Sequence, residues 1–228
     1  MPETDYRKFR LNKLNTEEFG HLKLLLFWPV FGLLFTAAER LYTPVRFYPV
    51  HCTLDDLIPF CEWFLLPYLF WFVFLIGTLA YTLFRDVNAF KRMMHFIIFT
   101  YTVTIVLYFL FPTCQQLRPE IFPRDNALTR FMGWFYRFDT NTNVCPSIHV
   151  LGSFAALFGL CECRRFQTRR GWKLAFAGMA VLISVSTVFV KQHSALDVAA
   201  ALPLCAAGYA MCFGARADQG VGETVIDF

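Results

Sequence analysis

Two residues near the end of the chain have side chains and a spacing that suit catalysis. His193 and Asp197 lie four residues apart in "VFVKQHSALDV", residues 188 to 198. On a helix this spacing places both side chains on one face, where Asp197 can accept a hydrogen bond from one ring nitrogen of His193. That bond would fix the tautomer and leave the other nitrogen free as a nucleophile. The alternative is a buried pair that only satisfies its own hydrogen bonds.

The stretch "NVCPSIHV" adds an anion site and a second histidine. Pro146 suits the first turn of a helix, where its missing N–H would have no partner, so we expect a helix to begin beside Ser147. The free N–H groups at a helix start bind phosphate, and the hydroxyl of Ser147 would add a donor. His149 would donate a proton to a leaving group. Together with a nucleophilic His193, these groups have the chemistry for metal-free phosphoryl transfer.

Two cations extend this set. Arg118 in "PTCQQLRPE" and Lys191 beside His193 are predicted phosphate ligands, although Lys191 would equally suit a side chain that extends to the membrane surface. A zinc site formed by His149, His193 and Asp197 is an alternative, since two histidines and a carboxylate can hold a catalytic metal. The two cations would repel such an ion, so we predict no metal and no cofactor.

The elements that must position these residues are membrane helices. Of the 228 residues, 57% are hydrophobic and 28 are Phe, a composition far from that of soluble proteins. A bilayer core about 30 Å thick requires about 20 apolar residues of helix. Apolar stretches of about this length lie at roughly 22 to 38, 57 to 84, 92 to 111, 146 to 163, 172 to 191 and 194 to 213. We therefore predict an all-α integral membrane protein, a bundle of six transmembrane helices.

The predicted bundle is a single domain, because no linker, repeat or low-complexity tract divides it. It covers residues 22 to 213, between a cytoplasmic segment at 1 to 21 and a short cytoplasmic tail at 214 to 228. With both termini inside, most of the 21 Lys and Arg residues, including Arg216, fall on the cytoplasmic side, as basic loops prefer.

In that orientation the unusual polar stretches meet at one edge of the membrane. The end of the third helix, the start of the fourth and the junction between the fifth and sixth all lie outside. Independent polar residues have no reason to collect at one face, so this convergence favours a shared external active site.

The connection before the fourth helix contains "ALTRFMGWFYRF" at 127 to 138, in which aromatic residues alternate with Arg. Such a segment would lie along the headgroup layer, either as an aromatic belt or as a lip that guides a lipid to the site. Near the same face, Glu62 is predicted to pair with Lys191 or Arg118, or to meet a cationic or hydroxylated headgroup.

The remaining composition limits the partners. The sequence has no basic stripe with interleaved exposed aromatic residues of the kind that binds nucleic acid. The bilayer and its lipids are therefore the expected partners. Cys52, Cys114 and Cys145 would all lie outside, where a disulfide is chemically possible, but the sequence does not pair them.

At these residues the chain resembles the type 2 phosphatidic acid phosphatase (PAP2) superfamily of lipid phosphatases and phosphotransferases. That family has six transmembrane helices and three motifs: an Arg-Pro pair preceded by a Lys, a Pro-Ser-Gly-His sequence, and a Ser-Arg pair followed by a His and an Asp. The corresponding stretches here are Arg118-Pro119, "PSIH" at 146 to 149 and "STVFVKQHSALD" at 186 to 197.

The resemblance implies a role for each matching residue. His193 would be the nucleophile that forms a phosphohistidine, and Asp197 its orienting partner. His149 would protonate the leaving oxygen, while Arg118 and Ser147 would hold the phosphate.

Three positions depart from the family pattern. The expected Lys falls on Phe111, the expected Arg on Thr187, and the Gly of the second motif on Ile148. Two cationic phosphate ligands are therefore missing, and Lys191 would supply one of those charges from a neighbouring position. Their loss favours a less charged substrate, which gives the chain some likeness to inositol phosphorylceramide synthases.

Our leading prediction is a metal-independent lipid phosphate phosphatase with an external active site. The alternative is a lipid phosphotransferase, similar to inositol phosphorylceramide or sphingomyelin synthases, that moves a headgroup phosphate to a lipid alcohol. A transporter or an inactive scaffold ranks third, because the key charges lie at one edge and not at the midplane. The short chain, without an N-x-S/T sequon, favours a bacterial plasma membrane. Neither the lipid nor the oligomeric state follows from the sequence.

Overall fold

The structure, a computed structural model, describes residues 4–214, and most of these residues are helical. The α-helices are α1 (Phe27–Thr36), α2 (Thr53–Leu57), α3 (Leu65–Arg85), α4 (Val87–Leu110), α5 (Ala127–Phe138), α6 (Ile148–Glu162), α7 (Arg170–Phe189) and α8 (Ala195–Phe213). Short 3₁₀ stretches are Tyr6–Lys8, Leu11–Lys13, Gly20–Leu26 and Glu62–Phe64, and Ala37–Leu41 is π-helical. The predicted cytoplasmic position of Arg216, and of the tail beyond residue 214, lies outside the described residues.

Five of the predicted spans are long and apolar enough to cross a membrane. They are Gly20–Leu41, Glu62–Arg85, Val87–Leu110, Arg170–Phe189 and Ala195–Phe213. The other predicted span, α6, has only 15 residues and a length of roughly 22 Å, less than the bilayer core requires. It begins only after Pro146 and ends at a turn that starts with Cys163. The all-α membrane prediction is confirmed, whereas six full spans are not.

The short helix α6 lies at the centre of the bundle, where it packs against α3, α4, α7 and α8. Two of its glycines allow this close approach. A Cβ on Gly152 would lie 2.7 Å from the hydroxyl of Tyr101 and 2.8 Å from Nε1 of Trp71, and one on Gly159 would lie 2.8 Å from the sulfur of Met93. Large side chains from α3 and α4 therefore fill the space that a side chain on α6 would occupy.

A small parallel sheet joins the loops next to the start of α3 and the end of α4. Strand β1 (Tyr48–Pro49) pairs with β2 (Thr113–Cys114). The sheet ties the segment before α2 to the segment after α4. It thereby gathers the connections that surround the start of α6.

The predicted segment at 127 to 138 forms α5 with the same bounds. Asn126 caps it, accepting hydrogen bonds from the N–H groups of Leu128 and Thr129. One face buries Met132 and Phe135, whereas the aromatic side chains of Phe131, Trp134 and Phe138 are exposed. The helix is amphipathic, as a helix at a headgroup layer must be, and its position there stays a prediction.

Candidate active site

The turn between α7 and α8 carries His193. The N–H groups of Gln192 and His193 both donate to the carbonyl of Thr187, at 3.0 and 3.1 Å. Lys191 has a φ of 54°, the left-handed region that a residue with a Cβ adopts only at a cost. This turn reverses the chain within five residues and presents His193 just before α8.

The first turn of α8 then fixes the carboxylate. Ser194 caps the helix, its hydroxyl accepting from the N–H of Leu196 at 3.1 Å. In return, Oδ2 of Asp197 accepts from the N–H of Ser194 at 2.9 Å. This reciprocal capping box requires an acidic or amide side chain three residues after the cap, and Asp197 fulfils that requirement.

The predicted pair of His193 and Asp197 is present. Nδ1 of His193 lies 3.1 Å from Oδ2 of Asp197, and the aspartate is fully buried. A carboxylate at this distance accepts a hydrogen bond from a nitrogen that carries a proton. Nδ1 of His193 therefore carries the proton, and the lone pair of the ring is on Nε2.

The second histidine lies against that free nitrogen. Nδ1 of His149, in the first turn of α6, is 3.4 Å from Nε2 of His193. Since Nε2 of His193 is an acceptor, Nδ1 of His149 is the donor. Tyr68 stacks on the His149 ring at 4.5 Å between centroids, and Trp71 packs at the same separation with a tilt of 45°.

Ser147 is the N-cap residue of α6, but its side chain makes no capping hydrogen bond. Its N–H donates to the carbonyl of Asp197 at 3.2 Å, which joins the starts of α6 and α8. Its hydroxyl is buried and has no hydrogen-bond partner within residues 4–214. A helix does begin beside Ser147, although Pro146 lies before the cap and not in the first turn.

Arg118 reaches the site through the side chain of Gln192, the residue before His193. One Nη donates to Oε1 of Gln192 at 2.6 Å. The guanidinium also donates to three carbonyls at the end of α5 and just after it, and it lies 4.5 Å over the ring of Tyr136. Its Nε is buried without a partner among the described residues.

The other predicted ligand, Lys191, has different contacts from those expected. Its ammonium donates to the carbonyls of Asp55, at 2.7 Å, and Ile58. These two acceptors hold the ammonium against α2, so the structure does not bring Lys191 to the histidines as a phosphate ligand.

Glu62 forms an ion pair, as predicted, but with neither Lys191 nor Arg118. Its carboxylate accepts from Arg124 at 2.8 and 2.9 Å and from Nδ2 of Asn126 at 3.0 Å. The connection between β2 and α5 brings Arg124 close, and nothing local in the sequence indicates that approach. Glu62 anchors this connection at the start of α3.

Sequence reasoning missed Asp139, a half-buried carboxylate that links the surroundings of the two histidines. Oδ2 of Asp139 accepts from the hydroxyl of Tyr68 at 3.0 Å and from Nε2 of Gln192 at 2.7 Å. Burial raises the pKa of Asp139 above its usual range, although nearby hydrogen bonds and cations oppose this. Tyr68 contacts His149 and Gln192 precedes His193, so Asp139 connects both rings through one intermediate residue each.

The three cysteines that we predict to be external, Cys52, Cys114 and Cys145, are free thiols. Burial raises the pKa of Cys145 to about 12, so its thiol stays protonated. Between residues 4 and 214 no group of three or more His, Cys, Asp or Glu side chains is arranged to hold a metal ion.

Comparison with known proteins places these residues in a family. Searches of curated proteins and of solved structures found no match. The model of the PAP2 superfamily, however, matches residues 94–219, a range that contains both histidines, Asp197 and Arg118. This match covers more than half of the 228 residues, and the chain belongs to the PAP2 superfamily.

Proposed function

We propose that the protein is a membrane-embedded lipid phosphate phosphatase that acts through a phosphohistidine on His193. Membership in the PAP2 superfamily supports a phosphatase or phosphotransferase type of activity. One further observation carries the proposal: Oγ of Ser147, Nε2 of His149 and Nε of Arg118 are all buried without a partner in the described part of the chain. These three residues are linked to His193 or to its neighbours Gln192 and Asp197. Because buried polar atoms almost always have partners, three such atoms on linked residues fit a site for a phosphate.

The first step follows from the tautomer that Asp197 imposes. Nε2 of His193 forms a bond to phosphorus while the bond from phosphorus to the lipid oxygen breaks. His149 enters this step as the imidazolium, and its Nε2 gives a proton to the leaving oxygen, so the lipid departs as a neutral alcohol and His149 becomes neutral. Asp197 stabilises the positive charge that the His193 ring gains, through the hydrogen bond at Nδ1.

The second step restores the enzyme. Water attacks the phosphorus, the N–P bond breaks, and its electron pair returns to Nε2 of His193. His149, now unprotonated, takes the proton from that water. Inorganic phosphate leaves, and both rings regain their starting protonation.

A lipid is the substrate class that fits this setting. The chain has five helices that are long and apolar enough to cross a membrane. Helix α5 contacts Tyr68 through Phe135 and exposes the aromatic side chains Phe131, Trp134 and Phe138. Such side chains favour the boundary between headgroups and acyl chains. A lipid could then present its phosphate to His193 while its tails stay in the bilayer, at the face that we predict to be external.

Phosphotransfer to a lipid alcohol is the second candidate, and the charge near the site favours it. Phe111 and Thr187 replace two family cations, and Thr187 donates its hydroxyl to the carbonyl of Ser184 within its own helix. The half-buried Asp139 adds an acid beside Gln192. This reduced positive charge suits a singly charged diester better than a doubly charged monoester. In that case the lipid alcohol replaces water in the second step.

The test uses purified protein in detergent with phosphatidate or a phospholipid diester, each labelled at phosphorus, with and without a lipid alcohol. The phosphatase proposal predicts released inorganic phosphate and an acid-labile, base-stable label on the protein, as expected for an N–P bond. Label that appears only in a new lipid would establish the transferase instead.

His193→Ala is expected to abolish both turnover and protein label. His95→Ala, which removes an exposed histidine from α4, is the matched control and should retain both. Turnover that persists in His193→Ala would disprove the phosphohistidine.

A further inference from the structure

The short helix α2 contacts the turn that carries His193, although α2 precedes the family-matched residues. Its Asp55 is only 1% exposed. Oδ1 of Asp55 accepts from the N–H of Ala195 at 2.8 Å, and Oδ2 accepts from the hydroxyl of Ser194. A carboxylate is favoured at this point, because the first N–H groups of α8 carry partial positive charge.

The same segment is bound on the other side of His193. The ammonium of Lys191 donates to the carbonyls of Asp55 and Ile58. Residues 191 and 194 to 195 therefore flank His193, and both sides of the turn bind one short segment, residues 55 to 58.

The conformation of the turn requires such support. Lys191 has a φ of 54°, and a residue with a Cβ keeps that conformation only when its surroundings impose it. Lys191 lies two residues before His193, so a change of its φ toward the common region would redirect the chain at His193. The contacts of Lys191 with α2 oppose that change.

The capping network carries the effect onward to the reacting nitrogen. Ser194 donates its hydroxyl to Asp55 and its N–H to Asp197. Asp197 in turn accepts from Nδ1 of His193. Asp55 thus fixes Ser194, the residue between His193 and the start of α8.

We propose that Asp55 is a positioning residue, which together with Lys191 clamps the turn from 191 to 195 so that Nε2 of His193 faces His149. The clamp rests on the proposed function, because a position matters only if His193 reacts. It also replaces the predicted role of Lys191 as a phosphate ligand. A displacement of about 1 Å at a reacting group can cost about 100-fold in rate.

The test compares Asp55→Asn and Lys191→Gln with the unaltered protein, in the full chain in detergent with phosphatidate. Each variant is expected to lower kcat by about 10- to 100-fold and to leave KM within about threefold. Inhibition by inorganic phosphate should keep its inhibition constant in both, since neither side chain holds the phosphate. The double variant should be little worse than either single variant, because both loosen one turn.

Asp56→Asn is the matched control. Asp56 is the residue after Asp55, and its carboxylate is 63% exposed and pairs with His51. Its substitution should therefore leave kcat unchanged. Thermal unfolding of every variant in detergent identifies any that fail to fold. If Asp55→Asn does not fold, Lys191→Gln alone still tests the clamp.

Two results would overturn the clamp. An unchanged kcat in folded Asp55→Asn or Lys191→Gln would show that the contacts serve only the fold. A phosphate inhibition constant raised about tenfold or more in Lys191→Gln would return Lys191 to the phosphate site. A His193→Ala arm separates the two proposals: retained turnover there rejects the phosphohistidine itself, whereas lost turnover there with normal kcat in the clamp variants rejects only the clamp.

Discussion

Nε2 of His193 and Nδ1 of His149 lie 3.4 Å apart, but the two rings are held in different ways. His193 is oriented by a hydrogen bond to Asp197 and by a turn whose own groups are bonded. His149 is oriented by the rings of Tyr68 and Trp71, and its Nε2 has no partner within residues 4–214.

This difference fits the two chemical roles that we propose for the histidines. A hydrogen bond to a carboxylate determines which nitrogen carries the proton, so His193 presents a lone pair of fixed direction. Ring packing determines where His149 lies and leaves its Nε2 without a partner among the described residues. A nucleophile needs the first kind of support, and a residue that gives and takes a proton needs the second.

Asp197→Ala should have the largest effect, because it removes the bond that fixes the tautomer of His193. We expect kcat/KM to fall by about 10³- to 10⁴-fold. The loss should be similar with a lipid substrate and with a nitrophenyl phosphate ester, since the nucleophile is impaired in both. A loss of tenfold or less, in protein that folds, would show that the turn alone orients His193.

His149→Ala should give a loss that depends on the leaving group. With a lipid alcohol we expect a decrease of about 10²- to 10⁴-fold, the usual contribution of a general acid. With a nitrophenyl ester, which leaves without a proton, most of that decrease should disappear from the first step measured in single-turnover experiments. An equal loss with both esters would assign His149 to another role.

Gly152→Ala tests the packing that supports His149. The new methyl group would lie 2.8 Å from Nε1 of Trp71, so that ring must move. Such overpacking costs about 1–3 kcal/mol of stability, and kcat should decrease with it because Trp71 contacts His149.

Gly178→Ala is the control for that substitution, since a Cβ there meets nothing within 4 Å. Thermal unfolding and kcat measured together separate the two glycines. Equal behaviour of both variants would mean that Trp71 does not restrain the His149 ring.

Asp139→Asn should have the smallest effect, on the pH dependence of stability. Because burial raises the pKa of Asp139, the folded state binds more protons than the unfolded state between the usual value, about 3.9, and the raised value. The free energy of unfolding therefore decreases as pH rises through that window, and the asparagine should flatten this slope.

Chemical unfolding in detergent at several pH values measures that slope. Asp125→Asn, at an exposed carboxylate paired with Arg130, is the control and should leave it largely unchanged. If Asp139→Asn also leaves the slope unchanged, the pKa of Asp139 is not raised in the folded protein.

Local spacing predicted the parts of the site that depend on neighbours along the chain. The i, i+4 pair of His193 and Asp197 and the helix start beside Ser147 both follow from patterns within a few residues. The apolar stretches likewise predicted the helices, but the length of α6 depends on its central place in the bundle.

Contacts between distant segments could not be predicted in this way. Lys191 meets Asp55 across 136 residues, and Glu62 meets Arg124 across 62. Such partners are selected by how the loops fold back on the bundle, for which the sequence has no local signature. Electrostatic reasoning correctly expected Glu62 to form an ion pair, but its partner is Arg124 and not Lys191 or Arg118.

Tyr68, Trp71 and Asp55 support the two histidines from the first part of the chain. All three precede residue 94, where the match to the PAP2 superfamily begins. A shortened protein starting there would keep both histidines and Asp197, yet lose the rings that hold one histidine and the carboxylate beside the other. The smallest unit that preserves the geometry of the site is thus larger than the region by which the family is recognised.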